Sequence, residues 1–246
     1  YASAVATGRR SRMIRLTPPL AWLTLLLAAA WLMPALKPVF EAVAPDRSTV
    51  IYPRDTFLSL LGEHVAIVAV AAVMAIVIGV GSAVLVTRRS GEEFLPLVSQ
   101  LASIGQTFPP VAVLALSVPA LGYGPKAVVV ALVLYGLLPI VRNTLAGLKA
   151  VDRGVVESAR GIGLSPGQVL WQVELPIAAP AILGGIRTSV TINIATAAIG
   201  STIGANTLGD PIISGIVNNN IAFTLQGAVL IGLLAVTVDS AFSRLG

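Results

Sequence analysis

The side chains in this sequence that could do covalent or metal chemistry are few and far apart. There is no cysteine, so there is no thiolate nucleophile, thiolate metal ligand or disulfide. The single histidine, His64, cannot build a metal cluster alone and reads as a polar residue at a helix end near the outer interface. ATP hydrolysis needs a phosphate cradle, G-x-x-x-x-G-K-[ST], whose lysine reaches the phosphates. The three lysines lie in ALKPVF (Lys37), YGPKAV (Lys126) and GLKAVD (Lys149); none has that glycine spacing or precedes Ser or Thr. The expectation is a chain with no catalytic residues, no metal site and no cofactor of its own. What stands out instead is a polar, glycine-punctuated stretch between apolar runs, residues 157–176, ESARGIGLSPGQVLWQVELP.

The elements that must position this stretch are membrane spans. The chain of 246 residues is 56% hydrophobic and 11% charged, with a mean hydropathy of +0.90, whereas a soluble domain carries about 25% charged residues. Its apolar runs suit helices rather than the short alternating strands of a barrel, because lipid leaves the backbone to satisfy itself within each span. This points to an all-α integral membrane protein with about six transmembrane helices, near 19–36, 63–86, 94–121, 125–147, 177–205 and 221–241. The third is interrupted by TFPP at 107–110 and again by Pro119. Residues 11–36 pattern like a signal peptide, but no small-residue cleavage site follows and Pro34 and Pro38 close the run, so 19–36 reads as a retained span.

Orientation follows from Lys and Arg. With a cytoplasmic amino terminus, the inside set is Arg9, Arg10, Arg12, Arg15, Arg88, Arg89, Arg142, Lys149, Arg153, Arg160, Arg187 and Arg244. The outside set is Lys37, Arg47, Arg54 and Lys126. Both termini are then cytoplasmic, which six spans allow. The net charge of +5 does not indicate nucleic acid, because the basic residues are dispersed at span ends rather than gathered in a patch.

The stretch itself falls on the inside. Asp152 is placed to cap a short helix, RGVVESARG, and Gly161 and Gly163 can take the left-handed conformation that stops it. Ser165-Pro166-Gly167-Gln168 then reads as a capping box with proline in the first turn, and Pro176 as the point of membrane re-entry.

This spacing resembles the cytoplasmic loop of ATP-binding-cassette (ABC) importer permeases: Glu-Ala-Ala, three residues, Gly, nine residues, Ile-x-Leu-Pro. Here Glu157-Ser158-Ala159 is followed by Gly163 and then Val173-Glu174-Leu175-Pro176, every interval matching. The wider sequence, including QTFPPVAVLALSVPALGYGPKAVVV and GIRTSVTINIATAAIGSTIGANTLGDPIISGI, is similar to permeases of osmoprotectant importers, which take up glycine betaine, choline, carnitine or proline betaine. The similarity covers about 56–241. One departure is Asn206-Thr207, where relatives often have two glycines, at a position where side chains would alter an outer gate or receptor contact.

The resemblance implies a type I ABC importer (MetI-like) permease fold in a bacterial cytoplasmic (inner) membrane. It implies a cytoplasmic segment 1–18, an additional first helix 19–36, a permease domain 56–241 and a coupling loop 150–176. It implies two ABC ATPase subunits carrying ATP and Mg, a second permease copy or related permease, an extracytoplasmic substrate-binding protein, and the lipid bilayer as surroundings. Contact with the ATPase would fall to Glu157, Ala159, Arg160, Gly161, Gly163 and Leu164. Translocation-path candidates are Gln106, Thr107, Phe108 and Pro109 in the broken span, Tyr135, and Asn193 with Thr196 three residues on. Phe108 and Tyr135 are the aromatics that could face a quaternary ammonium ion. The same loop occurs in methionine, polar amino-acid and sulfonate permeases, so these cargoes stay open. An ATP-independent secondary carrier is disfavoured, because no ionisable side chain falls at an expected span centre.

Overall fold

A computed structural model describes residues 18–244, and among them every regular element is a helix. Arg9, Arg10, Arg12 and Arg15, and with them nearly all of the expected cytoplasmic segment 1–18, lie outside the described residues. Five helices are long and apolar enough to cross a membrane: α1 (Pro18–Val43), α2 (Phe57–Val86), α5 (Pro125–Lys149), α7 (Pro166–Ile203) and α9 (Ile221–Phe242). Between α2 and α5 run α3 (Leu95–Thr107) and α4 (Pro110–Leu121); with the turn at 92–94 they form a pair bent by 102°. Counted as one broken span, that pair brings the total to six. Two short helices complete the order, α6 (Arg153–Gly161) and α8 (Gly209–Val217).

Several boundaries differ from those read in the sequence, each for a local reason. Pro34 and Pro38 do not close α1. Pro34 lies in a tight turn, Met33–Leu36, and Pro38 in the opening turn of the helical stretch Lys37–Val43, where no intrahelical N–H is missed. The break at TFPP is where it was expected. Phe108 precedes proline and is extended, with ψ 142°, as crowding from the proline ring demands. Pro119 does not interrupt again, because it sits in the last turn of α4, where one lost bond is tolerated. The largest difference is at Pro176, read as the point of membrane re-entry, where the helix does not break. The helix starting at Pro166 continues through a π turn, Leu170–Glu174, into the long span. The proline ring crowds the carbonyl four residues back, and the wider π turn places the irregularity just ahead of it.

The chain forms two compact units, one from Tyr1–Ile67, Leu121–Val128 and Ile194–Leu245, the other from Val68–Ala120 and Val129–Asn193. In the first, polar side chains of α9 and its cap hold the irregular connection after α1. Gln226 is fully buried; its Oε1 accepts from the Tyr52 N–H (3.1 Å) and its Nε2 donates to the Val50 carbonyl (2.6 Å). Asn220 caps α9 through Ala222 N–H and donates to the Thr49 carbonyl at 2.8 Å. The Tyr52 ring meets Phe223 edge-on at 5.8 Å. Burial, more than the neighbouring carboxylates of Asp210 and Asp55, raises the Tyr52 hydroxyl above its ordinary pKa.

Also in the first unit, Gly204 ends α7 in the left-handed region (φ 77°). Thr207 is fully buried and bonded on every side. Its N–H donates to Asp210 Oδ2 (2.8 Å), its Oγ1 accepts from the Gly209 N–H (3.0 Å), and Ser201 Oγ lies 2.8 Å away. Thr207 therefore opens α8 and has no free group to offer at a gate or receptor, while Asn206 is exposed. Burial holds the Asp210 carboxyl above the usual carboxylate range, opposed by its bond from Thr207.

His64 is fully buried rather than a polar residue at a helix end. The Leu208 N–H points at Nδ1 (3.3 Å), so Nε2 carries the proton and donates to the Ile194 carbonyl (3.0 Å). One imidazole thus ties α2 to the end of α7 and to the start of α8. Replacing it with leucine leaves the fully buried Leu208 N–H without a partner, at about 1–3 kcal/mol. His64→Leu is expected to insert but to unfold at a clearly lower temperature in detergent, read by intrinsic fluorescence. An unchanged midpoint would show that the imidazole is not a tie.

Candidate functional site

The second unit contains the loop between α5 and α7, and it is built as the spacing suggested. Asp152 caps α6, its Oδ1 accepting from the Gly154 (2.7 Å) and Val155 (3.2 Å) N–H groups. These are donors that a helix start otherwise leaves bare. Gly163 takes φ +93°, a conformation a side chain would strain, and the Leu164 N–H closes back on the Ala159 carbonyl at 3.2 Å. Gly161 is the last residue of α6 and does not take the left-handed conformation. The capping box then starts α7: the Ser165 N–H donates to Gln168 Oε1 (2.8 Å) and the Gln168 N–H to Ser165 Oγ (3.4 Å).

Burial divides the residues expected at the coupling contact. Glu157, Arg160, Gly161 and Gly163 are exposed, Leu164 is half-buried, and Ala159 is buried in the chain's own packing. Ala159 thus defines the inward side of α6, while Glu157 and Arg160 lie off it. Sequence reasoning missed two residues on the exposed side. Val155 on α6 is 44% exposed, and Ile162, which follows the helix, is 81% exposed. The available signal was apolar residues in a polar, glycine-punctuated stretch.

Beside α6 opens a cleft of about 810 Å³ whose lining includes Arg88, Lys149, Arg153, Glu157, Arg160 and Glu174. One ion pair crosses its wall. Arg88 Nη1, just past the end of α2, lies 2.6 Å from Glu174 Oε2, and the two side chains are only 30% and 12% exposed. Arg88 also donates to Thr87 Oγ1 through Nη2 (3.1 Å). Glu174 is the last residue of the π turn and occupies the variable place in Val-Glu-Leu-Pro, so the motif gave no reason to single it out.

The path candidates in this unit gather at the broken span. Gln106 Nε2 donates to the Tyr135 carbonyl at 3.0 Å, and the Tyr135 hydroxyl donates to the Phe108 carbonyl. The carbonyl freed by the TFPP break is thus satisfied by a side chain of α5. Tyr135 is buried, whereas Gln106, Thr107, Phe108 and Pro109 are exposed, so the two aromatics meet through a hydroxyl and a backbone rather than as a cage of ring faces. Asn193 is fully buried and, with Ser189 Oγ and Thr144 Oγ1, has side-chain polar atoms lacking any partner. Gly136 makes room for it, since a Cβ there would lie 2.5 Å from Ser189 Oγ and 3.2 Å from Asn193 Nδ2. Thr196 belongs to the other unit and is half-buried.

These features match known proteins over most of their length. A permease named for osmoprotectant import, OsmY of Salmonella typhimurium, is 40% identical over 194 residues, covering 78% of this chain and 82% of its own. The glycine betaine/carnitine/choline permease OpuCB of Bacillus subtilis is 38% identical, covering 72% of this chain and 81% of its own. Among solved structures, the methionine ABC transporter MetNI in inward facing conformations superposes with a TM-score of 0.68 at 23% identity, over 76% of this chain and 93% of that one; this establishes a shared fold. Residues 75–245 match the family described as "Binding-protein-dependent transport system inner membrane component", and the chain belongs to that family.

Proposed function

We propose that this chain is the permease subunit of an ATP-driven importer of osmoprotectants of the glycine betaine and choline type. In this reading it sits in a bacterial inner membrane with both termini cytoplasmic. It forms the translocation path and takes its energy from a separate pair of ATPase subunits. The observation that carries the reading is α6: a short helix capped by Asp152, ended by Gly163, and presenting Ile162 and Val155 to solvent, in a chain of this transport family.

The mechanics follow from that construction. Caps at both ends satisfy the backbone of α6 locally, and its inward side is fixed by buried Ala159, so the helix moves as one body. Exposed Ile162 and Val155 would enter a cleft of the ATPase, with Glu157 and Arg160 supplying charged hydrogen bonds at the rim. A partner can shift a two-state equilibrium only by binding one state better. ATPase closure would therefore select the permease conformation that receives substrate from the binding protein. A second permease copy or a related permease would complete the path. Gln106, Thr107, Phe108, Pro109, Tyr135, Asn193 and Thr196 remain the side chains proposed for it. The relatives' named cargoes favour osmoprotectants over methionine, polar amino acids and sulfonates.

Vesicles carrying the chain with its ATPase and binding protein are expected to accumulate radiolabelled choline or glycine betaine only with ATP; uptake that persists without ATP would sink this reading. Orientation is testable because the chain lacks cysteine. Ser165→Cys should react with an impermeant maleimide only from the cytoplasmic face, and Asn218→Cys only from the opposite face. Gly163→Val, forced into φ +93°, should insert normally yet give less transport per ATP, at about 1–2 kcal/mol of added backbone strain. Unaltered coupling in that variant would remove the glycine from the lever.

A further inference from the structure

We infer that the Arg88–Glu174 ion pair is the strut through which displacement of the α6 loop reaches α2; this rests on the reading of α6 as the coupling helix. Arg88 and Glu174 are positioning residues in it, touching neither substrate nor nucleotide.

Four observations converge on the pair. First, it joins two elements that sequence alone keeps 86 residues apart. Arg88 follows the last turn of α2, and Glu174 lies 11 residues beyond Gly163 on the first part of α7. Second, it is short and poorly solvated: the contact is 2.6 Å, with the carboxylate side chain 12% exposed. An exposed ion pair transmits little because water and salt screen it. A pair with one partner this deep resists separation, since parting strands a charge. Third, the guanidinium is anchored on its own side by Thr87 Oγ1. Thr87 Oγ1 in turn donates to the Val84 carbonyl in the last turn of α2 at 2.7 Å. A pull on Glu174 therefore reaches the backbone of α2. Fourth, Glu174 closes a π turn. A π turn is a wider, irregular turn of helix, and the ion pair pins its carboxyl end to the end of α2.

The pair also forms part of the wall of the 810 Å³ cleft whose lining includes Glu157 and Arg160 on α6. The cleft separates α6 from the end of α2. Its lining comes from α6, from the end of α2 and from the first part of α7, and the ion pair joins the last two.

The test uses the assembled transporter in liposomes, with the binding protein inside the assay, and reads choline uptake and ATP hydrolysis together. Glu174→Gln keeps the size and shape of the side chain and removes its charge; Arg88→Met removes the guanidinium and its charge and keeps only an unbranched stem. Both are expected to copurify with the ATPase subunits. Both should retain ATP turnover and lose about five- to tenfold in choline transported per ATP, the size of a typical allosteric coupling. The exchanged pair Arg88→Glu with Glu174→Arg should recover most of that ratio. Wild-type ratios in Glu174→Gln would overturn the inference. So would an exchanged pair that assembles but stays as uncoupled as the single variants, or single variants that fail to copurify, because the pair would then serve assembly alone. Wild-type uptake that needs no ATP would instead overturn the underlying reading, and is recorded in the same experiment before any variant is compared.

Discussion

A chain crossing lipid must satisfy its backbone from within, since hydrocarbon offers no hydrogen bonds. Long helices do this along their length, and the difficulty gathers wherever a helix starts, stops or bends. Much of the polar chemistry of this protein is committed at those places. Asp152 and the Ser165–Gln168 box close the two ends of the turn around Gly163. Tyr135 and Gln106 bond across the TFPP break. Asn220 and Gln226 hold the connection at 49–52, and His64 with Thr207 and Asp210 secures the passage from α7 to α8. At each of these places a polar side chain is occupied by backbone.

Where chemistry is local, the sequence announced it. Proline after Phe108, the Asp152 cap, the Ser165 box and the left-handed Gly163 depend on residues within four positions of one another, and all four are present. The apolar runs marked every long helix for the same reason. What could not be read depends on partners far along the chain or on how a helix tolerates proline. Pro34, Pro38 and Pro176 each looked like a boundary. Two sit in opening or tight turns, and the third follows a π turn that moves the crowded carbonyl aside. His64 seemed an end-of-helix residue because Ile194 and Leu208, its partners, lie 130 and 144 residues away. The Arg88–Glu174 contact was invisible for the same reason.

Burial within α6 was legible only in part. A spacing motif records which residues a helix needs, not which way each faces. Ala159 and Glu157 belong to the same three-residue signature, yet one packs inward and the other is exposed. Ile162 falls in an unspecified place of the motif and is the most exposed large apolar side chain in the described residues. A short helix that buries its alanine and is followed by an exposed isoleucine gains nothing by itself from the arrangement. Such an isoleucine is favourable only against a second surface, and the docking proposed for α6 rests on that.

A lever is useful only if it is stiffer than what it moves. The α6 loop meets that condition, with its end groups capped and its turn set by one glycine. The packing of α5 on α7 is different. The helices approach closely where Gly136, Gly147 and Gly185 leave no room for a Cβ. Thr144 Oγ1, Ser189 Oγ and both polar atoms of Asn193 are buried there without partners. Each such group costs about 1–3 kcal/mol while it stays dry, and regains that on meeting water or another polar group. Close van der Waals packing of small residues holds this region together against a standing polar cost. Separation of α5 from α7 therefore loses dispersion but recovers hydrogen bonds, so the two arrangements lie nearer in energy than an all-apolar seam would allow.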